Sequence, residues 1–325
     1  MNDKLTVKEK ADGKRLDIFL SENFGESRSK IQKLIKTGGV LLNGAHMKKV
    51  GMRLKVDDKI ELVEKKAVKV EKKVIKKDQS EKKAEAKVKV IVETEDYLVV
   101  NKPSDLLTHP TQAEEEFSLA SWILKNYPEI QGVGENEVRP GIVHRLDKDA
   151  SGVMVVAKNQ TMFEHLKKQF QSRSVEKEYI VLVHGVIEND EDTIDFDIDR
   201  GKDGRMVARP KTNKLSLRTV TKIQPGKESI TGLFVEERFA RYSLLKVKIH
   251  TGRTHQIRVH MLAYNHPVVG DNLYYNKKLN MERDRQLGRL FLHASKLCFE
   301  DLNKERVCFE SKLPNKLNKL LKELN

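Results

Sequence analysis

Residues 64 to 89 hold eleven lysines and five acids, with no glycine, proline or aromatic side chain. Their few valines follow no steady period, so the stretch cannot build a buried face that offsets the entropy of ordering it. A chain interrupted in this way reads as two folded parts joined by a solvated linker. We place a small domain at residues 1–63, the linker at 64–87 and a larger domain at 88–325. The 325 residues are enough for both.

The basic excess extends beyond the linker. Formal net charge is +14, which attracts polyanions and favours release of counterions from phosphates. Charge alone does not separate RNA from DNA, or either from an anionic membrane. No run of eighteen apolar residues is present, which excludes a transmembrane helix. The N-terminus lacks an apolar core followed by a small-residue cleavage site, so no secretory signal is read. Cys298 and Cys308 have no zinc-like spacing. They are expected to stay reduced, as small apolar side chains on neighbouring strands of a cytoplasmic protein.

In the first part, Leu16, Ile18 and Phe19 recur at helical spacing, as do Ile31, Leu34 and Ile35. Ser27 or Ser29 is placed to cap the second helix, and Gly38-Gly39 to end it. Val40 to Leu42 and Ile60 to Val63 read as short strands, with Asn43-Gly44 as a turn. In the larger part, KVIVETEDYLVVNKP reads as two strands and a turn, and SLASWILKNY as a helix. GVMVVAKN, KEYIVLVHGVI and RYSLLKVKIH read as strands. MFEHLKKQF and the terminal PNKLNKLLKELN read as helices. Strands and helices mix without βαβ alternation, which predicts an α+β fold with a mostly antiparallel sheet.

The densest chemistry lies at 139–159, RPGIVHRLDKDASGVMVVAKN. His144, Arg145, Asp147, Lys148 and Asp149 crowd a loop between apolar strands, an expensive arrangement unless the charges are paired or functional. A second segment, HTGRTHQIRVHMLAYNHPVVGDNLY at 250–274, carries Arg253, His255, Arg258 and His260 around a helix start. A guanidinium there suits a carboxylate or other anion, and an ionised carboxylate serves as nucleophile or base. His144, Asp147 and Ser151 suggest a hydrolase triad, but no G-x-S-x-G elbow occurs. His255, His260 and His266 are five and six residues apart, which does not put them on one helix face as metal ligands. Phosphate-binding P-loop and dinucleotide glycine patterns are also missing. By themselves these residues define a basic, two-domain, cytoplasmic protein with an anion-binding site.

Read together, the motifs resemble the large-subunit ribosomal RNA pseudouridine synthases of the RluA type. HRLDKDASG is similar to the signature around that family's catalytic aspartate. NKP at 101–103, THP at 108–110, KEY at 177–179, GRTHQIRVH at 252–260, HPVVGDNLY at 266–274 and RLFLHA at 289–294 follow in the family's order. The N-terminal part resembles the alpha-L RNA-binding motif, two short helices and a small sheet with a basic face. The resemblance implies a pseudouridine synthase catalytic domain preceded by a small α/β RNA-binding domain.

It also implies roles. Asp147 aligns with the essential aspartate, which attacks the ribose carbon holding the base or removes a sugar proton, attack at the uracil ring being an older proposal; the sequence does not choose among them. Tyr179 aligns with the tyrosine that packs on the target uracil. Arg258 aligns with the basic partner of the aspartate. Arg145 aligns with the residue that fills the space of the extruded base, and Leu292 lies in the motif supplying an apolar wall. Arg15, Arg28, Lys30, Lys33 and Lys36 are implied phosphate contacts of the N-terminal module. Neither cofactor nor metal is expected, since the isomerisation has no redox change and no external group transfer.

The lysine-rich linker is longer than the family leads one to expect, and three further places depart from its pattern. Ala150 replaces a usual threonine, Asp105 a usual glycine, and TQAEEEFSL at 111–119, with Glu114, Glu115 and Glu116, a glycine-rich stretch. The expected partner is RNA, ribosomal in the first reading and transfer RNA in a variant of it, handled by a monomer. A rival from another class is a catalytically idle RNA-binding or ribosome-assembly factor.

Overall fold

The structure is a computed structural model that describes residues 4–25, 31–32, 34–35, 38–47, 49–62, 88–110, 117–210, 226–276, 279 and 282–324. The linker at 64–87, the caps Ser27 and Ser29, the acids Glu114, Glu115 and Glu116, and Arg28, Lys30, Lys33 and Lys36 lie outside the described residues. The chain divides into two compact units, Met1–Ile75 and Lys76–Asn325. Among the described residues, no helix is long and apolar enough to cross a membrane.

In the first unit, strands β1 (Lys4–Thr6), β2 (Val40–Leu42), β3 (Ala45–His46) and β4 (Lys59–Leu62) form one sheet in the order β1-β4-β2-β3, all antiparallel. Helix α1 (Leu16–Phe24) buries Leu16, Phe19 and Leu20, and Ile31 and Ile35 of a second helical stretch join the same cluster. Gly38 has φ +78° and Gly25 φ +63°, the left-handed conformation in which a chain leaves a helix at little steric cost. Asp17 is fully buried and accepts from Arg15 Nε at 2.9 Å and Gln32 Nε2 at 2.7 Å. That pairing ties the two helical stretches together and fixes the base of the Arg15 guanidinium, which remains 42% exposed.

The second unit is built on a ten-stranded sheet. Its strands are β5 (Lys89–Glu93), β6 (Tyr97–Lys102), β7 (Ser151–Ala157), β8 (Glu176–His184), β9 (Glu191–Arg200), β10 (Met206–Pro210), β11 (Ile230–Phe239), β12 (Tyr242–Ile249), β13 (Leu292–Glu300) and β14 (Arg306–Glu310). The order is β10-β9-β11-β12-β8-β13-β7-β6-β5, with β14 pairing β13. Every ladder is antiparallel except β13 with β7. The mostly antiparallel α+β architecture read from the sequence is thus observed.

Apolar runs in β6 and β7 are continuous because both faces of the sheet are covered. Leu98 and Val100 pack in one cluster with Leu119, Trp122 and Ile123 of helix α2 (Leu119–Asn126). Tyr97 and Val99 point the other way, into a cluster with Met162, Phe163 and Leu166 of α3 (Gln160–Ser172). Ser118 and Asn159 cap these helices by accepting from Ser121 N and Met162 N. The remaining helices are α4 (Gln256–Ala263), α5 (Glu282–Leu287) and α6 (Asn315–Leu324), the last of which buries Leu317 and Leu320 beside Leu182 and Phe291.

One expectation is corrected. Cys298 and Cys308 are not separate thiols but a disulfide. They do stand on neighbouring strands, yet the β13–β14 register sets them directly opposite each other, where cross-strand side chains come closest. A ten-residue spacing carries no such information, because it does not reveal the hairpin register.

Candidate active site

The parallel pair in the sheet is where the charged loop emerges. At Gly152, with φ +129°, a Cβ would lie 2.2 Å from Ala294 O, so only glycine lets β7 begin this close to β13. Just before it, the backbone on both sides of Asp147 is held by side chains from the end of β6 and from the β6–α2 connection. Thr108 Oγ1 donates to Leu146 O at 2.8 Å and accepts from Leu146 N at 3.3 Å. Lys102 Nζ donates to Lys148 O at 3.2 Å, and also to Pro103 O at 2.8 Å and Leu106 O at 2.7 Å. Lys102 is 0% exposed. Burial pushes its ammonium down to about 7, against the pull of Asp147 and Asp149. The NKP and THP motifs therefore act as struts for the loop that carries the aspartate.

Helix α4 meets the loop from the other side. Arg258 donates through Nη1 to Asp147 Oδ2 at 3.2 Å. Its Nε and Nη2 are taken by both oxygens of Asp271, at 2.7 and 2.9 Å. Asp271 Oδ1 also accepts from Leu273 N and Tyr274 N, and the Tyr274 ring lies 5.1 Å from the guanidinium carbon. Burial opposes the charge on Arg258, but the bonds to Asp271 and the two carboxylates overcome it and hold its pKa above the ordinary value. The neighbouring His255 adopts φ +56°, bonds Tyr274 Oη through Nδ1 at 2.9 Å, and brings Nε2 to 3.9 Å from Asp147. Burial lowers its pKa despite that carboxylate.

Tyr179 stands on β8, paired with Val247 and Ala294. It is 7% exposed, and burial, reinforced by Asp147, raises its phenol pKa strongly. The side chain is therefore a neutral ring and hydroxyl throughout the physiological range. Leu292 opens β13. Asp147, Tyr179, Arg258, Arg145 and Leu292 all line one cavity of about 70 Å³, with Ile249 and Ile257 in its apolar wall. Beside it lies a larger cavity of about 420 Å³ that shares Arg145 and Tyr179. Residues from four separated segments thus converge around one carboxylate.

The rival arrangements do not assemble. Ser151 bonds His293 Nδ1 at 2.9 Å and accepts from Arg289, while His144 Nε2 accepts from Val155 N at 3.1 Å, so no Ser-His-Asp relay forms. His260 spends both ring nitrogens on Thr231 and Phe196, and His266 bonds His184 O. Among the described residues, no cluster of His, Cys, Asp and Glu is placed to hold a metal ion. Of the departures, Asp105 has φ +65°. That is a conformation natural to glycine and tolerated by aspartate. Ala150 is 1% exposed against the core.

Sequence reasoning did not single out Asp271, Tyr274, Lys102 or Thr108. All four lie in quoted motifs, but a motif does not say which of its members turn inward.

With this geometry in place, the comparisons are direct. The family model described as RNA pseudouridylate synthase matches residues 96–263, and the S4 domain model matches 14–60. An uncharacterized RNA pseudouridine synthase of Aquifex aeolicus is 37% identical over 283 residues, 86% of this chain and 83% of that one. The ribosomal large subunit pseudouridine synthase D of Haemophilus ducreyi is 32% identical, covering 98% of this chain and 94% of its own. The solved structure of human RNA pseudouridylate synthase domain containing 1 superposes with a TM-score of 0.56 at 27% identity, over 74% of this chain and 95% of that one. The chain belongs to the RNA pseudouridine synthase family, with an S4 domain at its N-terminus. It is an isomerase that converts uridine to pseudouridine, and its partner is RNA.

Proposed function

We propose that this enzyme modifies large-subunit ribosomal RNA and that Asp147 is its catalytic carboxylate. The observation that carries the site is the Asp147–Arg258 contact of 3.2 Å at the cavity shared with Tyr179 and Leu292. Arg258 balances the carboxylate charge while the second Asp147 oxygen stays clear of it. Acting on the ribose, Asp147 promotes cleavage of the bond between uracil N1 and C1′. The ring then turns, C5 bonds to C1′, the C5 proton leaves to solvent and N1 takes one up, so atoms balance without a co-reactant. Tyr179 packs on the uracil, Leu292 and its apolar neighbours retain it, and Arg145 fills the gap the extruded base leaves. Base flipping costs a few kcal/mol of unstacking, which such contacts offset.

For the substrate, the support is the relative named for the large ribosomal subunit, which matches over nearly the full length of both chains. An S4 domain and a net charge of +14 suit a large structured RNA. In this reading residues 1–63 hold RNA through Arg15 and its basic neighbours Arg28, Lys30, Lys33 and Lys36, residues 64–87 connect, and residues 88–325 carry the chemistry. The enzyme works in the cytoplasm as a monomer. The test is tritium release from C5-labelled uridine in large-subunit ribosomal RNA and in transfer RNA, followed by mapping of the modified positions. Release from the ribosomal transcript alone supports the assignment, and release from transfer RNA alone overturns the substrate. No release from either RNA, with binding intact, favours an assembly factor.

A further inference from the structure

The cavity of about 420 Å³ beside the catalytic one lies within the ~300–1,000 Å³ range of ligand sites. Its charged lining consists of Arg139, Arg145, Arg173, Lys177 and Arg253, with no aspartate or glutamate among the lining residues. Two of these cations are anchored on one residue: Arg173 Nη2 reaches Glu228 Oε2 at 2.5 Å, and Arg253 Nε donates to Glu228 O at 3.0 Å. Arg139 and Arg145 are exposed, and among the described residues no carboxylate pairs with either guanidinium.

Lys177 is the informative member. It is 8% exposed, and its ammonium lies 5.6 Å from the centre of the Phe170 ring. No carboxylate or carbonyl among the described residues meets it. Withdrawing much of a cationic side chain from water with no facing carboxylate is costly, and burial holds its pKa below the ordinary lysine value. The same wall supplies a stacked pair, His144 on Phe170, with ring centres 4.7 Å apart and planes 18° apart. Because His144 Nε2 accepts from Val155 N, its proton resides on Nδ1. Burial, with Lys177 nearby, lowers its pKa to about 3, so it offers a neutral N–H donor rather than a charge.

We propose that this cavity is a second nucleotide subsite, which takes the RNA nucleotide flanking the target uridine, its phosphate on Lys177 and the adjoining arginines and its base at the His144–Phe170 wall. The inference rests on the pseudouridine synthase reading, because the subsite abuts the catalytic cavity through Arg145, Tyr179, Ile249, Gly252 and Arg253. An inserted Arg145 would thus separate the flipped uracil from its neighbour in the strand. The missing counter-anion of Lys177 arrives with the RNA.

The experiment compares full-length wild type, Lys177→Met, Arg139→Gln and the exposed control Lys322→Met on a large-subunit ribosomal RNA transcript. Filter binding across a salt series gives Kd and its salt slope, tritium release gives kcat and KM, and thermal unfolding gives Tm. Lys177→Met keeps the apolar stem on Phe170 and removes the unpaired charge. It is expected to raise Kd about tenfold, reduce the salt slope by about one, and move KM more than kcat, with Tm unchanged or higher. Arg139→Gln is expected to shift the slope in the same direction, and Lys322→Met to leave it alone. Wild-type Kd, slope and KM in both cavity variants would overturn the subsite, as would a lowered Tm in Lys177→Met with normal binding by Arg139→Gln. If the expected binding shifts occur but wild type releases no tritium, the RNA subsite stands and the isomerase reading fails.

Discussion

Arg258 is locked edge-on against Asp271 through two hydrogen bonds of 2.7 and 2.9 Å, so it is Nη1 that it turns towards Asp147. That arrangement lets a cation sit beside Asp147 without covering it. The Asp271 carboxylate is the anchor, and its side chain is 0% exposed.

Replacing the anchor should therefore cost more stability than replacing Asp147. In Asp271→Ala, Arg258 loses its bidentate partner inside the protein. Breaking a buried pair by removing one member costs ~3–5 kcal/mol. Urea unfolding should show a loss of that order, with turnover falling as Arg258 relaxes. A stability within the error of wild type would mean that Asp271 is not the anchor.

Asp147→Asn should behave oppositely. Arg258 keeps Asp271 as its counter-ion, so only one hydrogen bond to a charged group weakens, at ~1–3 kcal/mol or less. Tritium release is expected to fall below detection, while circular dichroism and RNA binding remain those of wild type. Residual turnover near the wild-type rate would remove Asp147 from the mechanism.

Lys102 makes a pH-dependent prediction. Its folded pKa is about 7 against an ordinary lysine value of 10.5. Between those values the unfolded chain carries the proton and the folded one does not, so this group's contribution to stability rises with pH from about 7. The difference in unfolding free energy between wild type and Lys102→Met should accordingly grow from neutral to alkaline pH. The variant should also lose turnover, because the Lys102 nitrogen no longer ties Lys148 O of the Asp147 loop to Pro103 O and Leu106 O. A pH-independent difference would contradict the assigned titration.

Gly152→Ala tests the close approach of β7 and β13. The added Cβ would meet Ala294 O at 2.2 Å in a left-handed conformation, so a loss beyond the ~1 kcal/mol of an ordinary glycine substitution is expected. Thermal unfolding should register it as a large drop in Tm or as insoluble protein. A wild-type melting curve would show that the two strands separate easily.

Particular residues show what could be read before the fold was known. The apolar runs of β6 and β7 announced strands, and SLASWILKNY announced the helix α2. Asp147, Tyr179, Arg258, Arg145 and Leu292 were legible through ordered motifs, and the fold gathers all five at one cavity. Lys102 was legible only as part of a motif, since its partner Lys148 O lies 46 residues away. The disulfide was misread because reactivity of a cysteine pair depends on register.

The sequence by itself determined a part of the helices and strands, β5 to β8, β12 and α2 among them, that the chain divides near its lysine-rich stretch, and which motif carries Asp147. These follow from local period, composition and residue chemistry. Tertiary structure alone decided that Arg258 shares itself between two aspartates, that Cys298 faces Cys308, and that Lys177, largely covered and set over Phe170, lines a second cavity. Each depends on strands and helices distant in sequence being brought within a few ångströms, and burial and charge pairing are properties of that assembled neighbourhood.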